Sequence, residues 1–125
     1  MVSRNDSKGR EKTKVGLVQI NNSFNNQNYF PYSVGILQAY AQKHLINIEK
    51  FDFLSPIYKK ITVENAVKHL SDAEIVFFST YVWNSNLSSE IAKKIKIKNP
   101  ETTIIFGGCQ VPRRDTKLFM ANILI

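Results

Sequence analysis

Glu74–Thr80 reads EIVFFST. Its centre is an unbroken apolar run of β-branched and aromatic side chains, the pattern of a strand covered on both faces of a sheet. Helical stripes flank it. Upstream, Val63, Ala66, Val67 and Leu70 recur at i, i+3, i+4 and i+7, which gives a helix one apolar face. Downstream, Leu87, Ile91 and Ile95 form a second stripe, with Asn86 as the expected N-cap and Asn99-Pro100 as the stop. A buried strand between two amphipathic helices is the repeating unit of a parallel α/β sheet.

The same unit extends in both directions. Lys14–Ile20, KVGLVQI, is a first buried strand. Pro31 opens a helix at a position where its missing N–H costs nothing, and Val34, Leu37, Ala41 and Leu45 share one stripe of it. Ile48–Leu54 alternates weakly and reads as a second strand, followed by a connector over Ser55–Ile61 that contains Pro56. Thr102–Phe106 is a fourth strand, broken by Gly107-Gly108, and another helix starts near Asp115. Asn21–Phe30, NNSFNNQNYF, carries five asparagines, which favour turns and left-handed positions over a regular element. The order β-α-β-α-β-α-β predicts parallel strands, right-handed crossovers and helices on both faces. Four strands are accounted for, with Asn122–Ile125 as a stub, so the last strand is expected to be missing or incomplete and the chain to be a fragment.

Length and composition agree with one domain. The chain has 125 residues, 43% apolar and 22% charged, near the average for globular domains. No run approaches the length of a membrane span and the polar N-terminus has no secretory core, so a soluble, cytoplasmic protein is expected. The first 13 residues read as a disordered basic tail and residues 14–125 as the α/β domain. The net charge is +7. Part of it lies in the first 14 residues, and Lys93, Lys94, Lys96 and Lys98 add a group on one helix. Such a group reads as a solvated helix face rather than a nucleic-acid surface. A single cysteine, Cys109, excludes an internal disulfide, a multi-thiolate zinc site and a cubane cluster held by this chain alone. His44 and His69 fall near helix ends with no ligand partner at metal spacing, and Asp52 reads as a cap or surface charge.

In an open α/β sheet, ligands bind beyond the carboxyl ends of the strands. Three segments reach that edge: residues 21–32, 79–84 and 107–112. In the second, Ser79 and Thr80 bring two hydroxyls off a buried strand, and Tyr81 and Trp83 follow with flat aromatic faces. The hydroxyls either meet a ligand or satisfy local backbone, and the aromatics either floor a site or fill the core. Gly107-Gly108 permits a sharp turn and a close approach, yet it is neither a dinucleotide fingerprint nor a P-loop. No base stands near Cys109 in sequence and no carboxylate pair stands out, so the chain reads as a binding module without a complete active site.

Four stretches carry a resemblance: KVGLVQI at 14–20, FPYSVGILQAY at 30–40, VFFSTYVWN at 76–84 and IIFGGCQVP at 104–112. In this order they resemble the N-terminal cobalamin-binding domain of B12-dependent radical SAM proteins, over nearly all of the chain except its basic tail. The resemblance implies a flavodoxin-like (Rossmann-like) fold and cobalamin as cofactor. Ser79, Thr80 and Tyr81 would meet the dimethylbenzimidazole nucleotide tail, and Gly107, Gly108 and Gln110 would line its slot. Asn21, Asn22, Tyr32 and Trp83 would border the corrin. The histidine-bearing motif of the methionine-synthase type is absent, so the resemblance implies no protein imidazole on cobalt. The iron–sulfur cluster and S-adenosylmethionine of the wider family are not expected on this chain, and a separate radical SAM chain is a possible partner. Two alternatives stay open: a ligand-free α/β interaction or regulatory module, which includes a non-functional remnant, and an FMN-binding flavodoxin-like domain.

Overall fold

A computed structural model describes residues 12–124. The elements, in chain order, are β1 (Thr13–Val18), β2 (Ser23–Phe24), β3 (Gln27–Asn28), α1 (Tyr32–His44), a short 3-10 turn (Ile48–Lys50), β4 (Phe51–Phe53), α2 (Val63–His69), β5 (Ile75–Ser79), α3 (Ser85–Lys98), β6 (Thr103–Gly107) and α4 (Thr116–Leu124). The main sheet has the order β4-β1-β5-β6, with every pairing parallel. This is the parallel α/β sheet that the alternating sequence pattern predicts, in the flavodoxin-like arrangement that the resemblance implies.

Four local expectations are corrected. The second strand is only Phe51–Phe53, because Ile48–Lys50 curls into the 3-10 turn. Asn21–Phe30 contains a regular element after all: β2 and β3 pair antiparallel, Ser23 with Asn28 and Phe24 with Gln27. Asn25 and Asn26 turn that hairpin at φ 49° and 62°. Two positive φ values in a two-residue loop match the twist of the flanking strands, and asparagine tolerates them. The third helix starts at Ser85, with Asn84 rather than Asn86 at the cap position. The expected stub at residues 122–125 is helical through Leu124. Residues 1–11, most of the expected basic tail, lie outside the described residues, as does Ile125.

The two faces of the sheet are covered unequally. Val18, Val76 and Phe78 project to one face and meet Leu70 and Ala66 of the α2 segment and Ile91, Ala92 and Ile95 of α3. Gly16 leaves the gap that Leu70 fills, since a Cβ there would lie 2.5 Å from Leu70 Cδ2. Phe78 stacks on Phe106 at 5.0 Å, and Phe119 of α4 meets Phe106 edge-on at 5.7 Å. Full burial of each large apolar side chain here contributes about 1.5–3 kcal/mol.

The opposite face has one helix. Val15, Leu17 and Val34 are its only fully buried apolar members among the described residues, and Phe51, Phe53 and Phe77 are half-covered. Of the α1 stripe, Val34 reaches the core, whereas Leu37 and Leu45 stay exposed beside an apolar groove of about 620 Å³. The apolar run of β5 therefore has one fully packed face and one partly open face. No helix among the described residues is long and apolar enough to cross a membrane.

Candidate functional site

The chain leaves β1 toward one edge of the sheet and, after β5, runs toward the other. The crevice of an open α/β fold lies where the connections diverge, here above the carboxyl ends of β1 and β5.

One buried side chain holds that point together. Asn84 is 1% exposed. Its Nδ2 donates to the carbonyls of Ile20 and Ser79, both at 3.0 Å, and its Oδ1 accepts the N–H of Tyr81 at 2.8 Å. A single amide thus ties the end of β1, the end of β5 and the turn that carries the aromatics. Gln19 does comparable work on the other side: its buried Oε1 accepts the Val34 N–H at 3.2 Å, meeting an orphan donor in the first turn of α1. That contact fixes the start of α1 relative to β1.

The turn after β6 is pinned beneath these groups. Thr80 donates twice to the Gly107 carbonyl, from its backbone N–H at 2.8 Å and from Oγ1 at 2.8 Å. The Gln110 N–H donates back to the Thr80 carbonyl at 3.3 Å. Gly108 has φ 100°, and a Cβ there would collide with the Thr80 backbone. Gly107 differs, since a Cβ on it would meet nothing within 4 Å. One glycine serves the turn and the other borders open space.

That space is a cavity of about 540 Å³ between the start of α1 and the ends of β5 and β6. Its wall includes Val34, Leu37, Phe77, Ile105, Ser79 and Gly107, and Tyr32, Ser33, Tyr81 and Gly108 reach it as well. Across this wall the Tyr81 hydroxyl and Ser33 Oγ are hydrogen-bonded at 2.9 Å. Tyr81 stacks on Trp83 with ring centroids 4.6 Å apart and planes 3° from parallel. Beside the stack lies a second hollow of about 330 Å³, bordered by Asn21, Asn22, Tyr29 and Trp83.

The sequence-predicted site residues therefore divide. Ser79, Tyr81, Gly107, Gly108 and Tyr32 share the larger cavity, and Asn21, Asn22 and Trp83 share the smaller. Thr80 is buried with its hydroxyl spent on backbone, and Gln110 stands outside both walls. Asn21 is itself buried, and its Nδ2 donates to the Tyr29 carbonyl at 3.3 Å, which anchors the hairpin's return. Sequence reasoning missed Asn84, Gln19 and Ser33. For Gln19 the signal was present: a polar residue inside an apolar strand run needs a partner. Asn84, at a strand-to-helix joint, was the better cap candidate, but its three hydrogen bonds span up to 64 residues and no local pattern shows them.

The remaining reactive groups are elsewhere. His44 stacks on Tyr40 at 4.2 Å, and His69 Nε2 is hydrogen-bonded to the Ser55 carbonyl at 2.9 Å. Both lie at C-terminal ends of helices, and neither lines either hollow. Cys109 is exposed. Asp52 is exposed in the middle of β4 and caps no helix. Lys96, expected on a solvated face, instead donates to the carbonyls of Pro100 at 2.6 Å and Thr102 at 2.9 Å, closing the end of α3. Among the described residues, no group of three or more His, Cys, Asp or Glu side chains could hold a metal ion.

No family model matches the chain. Among curated proteins it is similar to the cobalamin-dependent radical SAM methyltransferase TokK of Streptomyces tokunonensis. The two are 27% identical over 113 residues, which is 90% of this chain and 16% of that protein. It is also similar to the 2-(S-pantetheinyl)-carbapenam-3-carboxylate methyltransferase of Streptantibioticus cattleyicolor, at 26% identity over 91 residues, 73% of this chain and 13% of that protein. The chain thus spans less than one fifth of the length of either relative, and it is a distant, partial homologue of a cobalamin-dependent radical SAM methyltransferase.

Proposed function

We propose that this chain is a cobalamin-binding domain of the kind found in B12-dependent radical SAM methyltransferases. It would take the cofactor's nucleotide tail into the cavity beside Ser79 and Gly107. The observation that carries this reading is the cavity itself. It lies beside the switch point, at the ends of β5 and β6, has a volume of about 540 Å³, and is lined by apolar side chains with a few hydroxyls. Pockets for organic cofactors have these dimensions and this balance. The fit extends to Gly107, whose missing side chain leaves open space where a planar base needs a smooth wall. The corrin, a broad and largely apolar disc, would lie over the mouth against Trp83 and Tyr32, with Asn21 and Asn22 at its border. Thr80 supports this site from beneath and Gln110 through its backbone. Neither of the chain's two histidines lines either hollow, so on this reading cobalt would receive no protein imidazole. Bound cobalamin supplies methyl-transfer chemistry. This chain's residues bind and orient it, and the iron–sulfur cluster and S-adenosylmethionine would belong to other parts of such a protein or to a separate chain.

Gly107→Val tests the placement of the tail. The added side chain enters the cavity without meeting protein atoms at Cβ. Hydroxocobalamin binding is expected to weaken by about tenfold or more, while the thermal midpoint stays within about 3 °C of the parent protein. A variant that binds as tightly as the parent would place the tail elsewhere.

A second reading, an α/β interaction module, draws on the open groove beneath α1. Concentration-dependent self-association with no affinity for cobalamin would favour it.

A further inference from the structure

We propose that the uncovered half of the sheet face beside α1 is a dimer interface, and that its occupant is α1 of a second copy of this chain. The surface adjoins the candidate cavity at Leu37, Phe77 and Ile105. Its test needs no corrinoid, so this inference and the cobalamin reading can fail separately.

The open space has the width of one helix. Four strands about 4.8 Å apart make a face about 15–20 Å wide, which takes two helices of about 10 Å side by side. On this face α1 is the one α-helix among the described residues, and it packs Val34 against Val15 and Leu17 of β1. Leu17 is the register neighbour of Phe77 on β5, and Phe77 of Ile105 on β6. Phe77 and Ile105 thus continue the apolar row beyond β1, where no second helix covers them. The helix beside this gap is apolar on its outer sides too. Leu37 is 56% exposed, Tyr40 is 65% exposed, and Ile36 is exposed as well. A helix that is apolar on its outer sides as well as its inner one calls for cover on both.

Charge selects the occupant. From Val15 to Gln42 the chain has no Asp, Glu, Lys, Arg or His, and β6 has none either, although charged residues make up 22% of the whole. Absence of charge in a patch that carries exposed aromatics is the composition of an interface core. A partner of opposite charge would find nothing to pair with on this face. It would be drawn instead to helices of the opposite layer, such as α3 with its four lysines. Two copies of this chain carry +7 each and repel one another in general, and this is a face on which neither presents a charge. A two-fold arrangement also meets both needs with one patch. Each α1 enters the gap of the other copy, and its outer side gains the floor of Phe77 and Ile105 that it lacks at home.

The test is sedimentation equilibrium of the full chain over a wide concentration range, without corrinoid. A monomer–dimer equilibrium is expected, with a dissociation constant of about 10 μM or tighter, the weak end for an interface of standard size. Association should tighten with added salt, which screens the repulsion between like-charged copies. Tyr40→Lys and Ile105→Lys should each weaken it by at least about tenfold, because the two-fold axis brings in every added charge twice. Both positions are exposed, so the ammonium reaches water in the monomer and the far-ultraviolet circular dichroism should match the parent protein. Ile97→Lys is the control. Ile97 is exposed on α3, in the layer on the other face, and association should be unchanged. A chain that stays monomeric at about 200 μM, well above the expected constant, would overturn the proposal and leave the gap to a segment of a longer protein. A dimer weakened by Ile105→Lys but not by Tyr40→Lys would place the contact at the free edge of β6 and overturn the exchange of helices. A dimer indifferent to both variants, or one loosened by salt, would overturn it as well.

Discussion

Asn84→Ala should destabilise the protein by about 3–5 kcal/mol in urea unfolding, the largest effect expected of a single side chain at this edge of the sheet. The alanine leaves three backbone groups without their present partner: the carbonyls of Ile20 and Ser79 and the N–H of Tyr81. Residue 84 is almost wholly buried, so water cannot replace the lost bonds without entering the core. The damage should also be visible locally. Trp83 is the chain's single tryptophan and stacks on Tyr81, whose N–H Asn84 holds. Near-ultraviolet circular dichroism of that pair should weaken under conditions where the far-ultraviolet spectrum is retained. A loss of stability below about 1 kcal/mol would mean that Asn84 is not the tie between β1 and β5 that its geometry describes.

Gly108→Ala is the second large effect, expected at about 3–4 kcal/mol. Two costs combine. A φ of 100° is strained for any residue with a side chain. The new Cβ would also lie 2.8 Å from the Thr80 nitrogen and closer still to the Thr80 carbonyl oxygen. Both obstacles are backbone, and that backbone is fixed by two hydrogen bonds to Gly107, so it cannot yield cheaply. Gly107→Ala is the internal control, with the same chemistry one residue earlier and no atom within 4 Å of the new Cβ. It should leave the unfolding midpoint nearly unchanged. Similar losses at both positions would show that the pair acts as a flexible turn and not as one turn residue beside one cavity residue.

The contrast between these glycines shows how far a sequence can be read. Gly107-Gly108 after a strand announces a turn and a close approach, and both are present. Which glycine serves which purpose depends on Thr80, 27 residues upstream along the chain, and no local signal carries that. The apolar stripes of α2 and α3 and the runs in β1, β5 and β6 were legible because burial in a sheet covered by helices imposes a period on the sequence. The hairpin at residues 23–28 was not, because two residues per strand are too few to alternate, although the asparagines did mark its left-handed turn. The α1 stripe was legible as a helix and misleading as to burial. Leu37 and Leu45 have helical spacing, yet the sheet beneath them is only partly covered. At the candidate site the exposed aromatics and the small residues stood out by type. The groups that hold them, Asn84, Gln19 and Thr80, act through contacts distant in sequence; Thr80 stood out as a hydroxyl, but its partner, like those of Asn84 and Gln19, emerged only from the three-dimensional arrangement.

The functional account rests on one physical claim, that the cavity between α1 and the ends of β5 and β6 receives the nucleotide tail of a corrinoid. The most direct test is to titrate the purified chain with hydroxocobalamin, desalt it, and record the visible spectrum of what remains. The account predicts one equivalent of retained cofactor with the spectrum of a corrinoid whose benzimidazole has left cobalt and whose place no imidazole has taken. A folded, cooperative protein that emerges colourless, or that holds the cofactor with its benzimidazole still on cobalt, would contradict it.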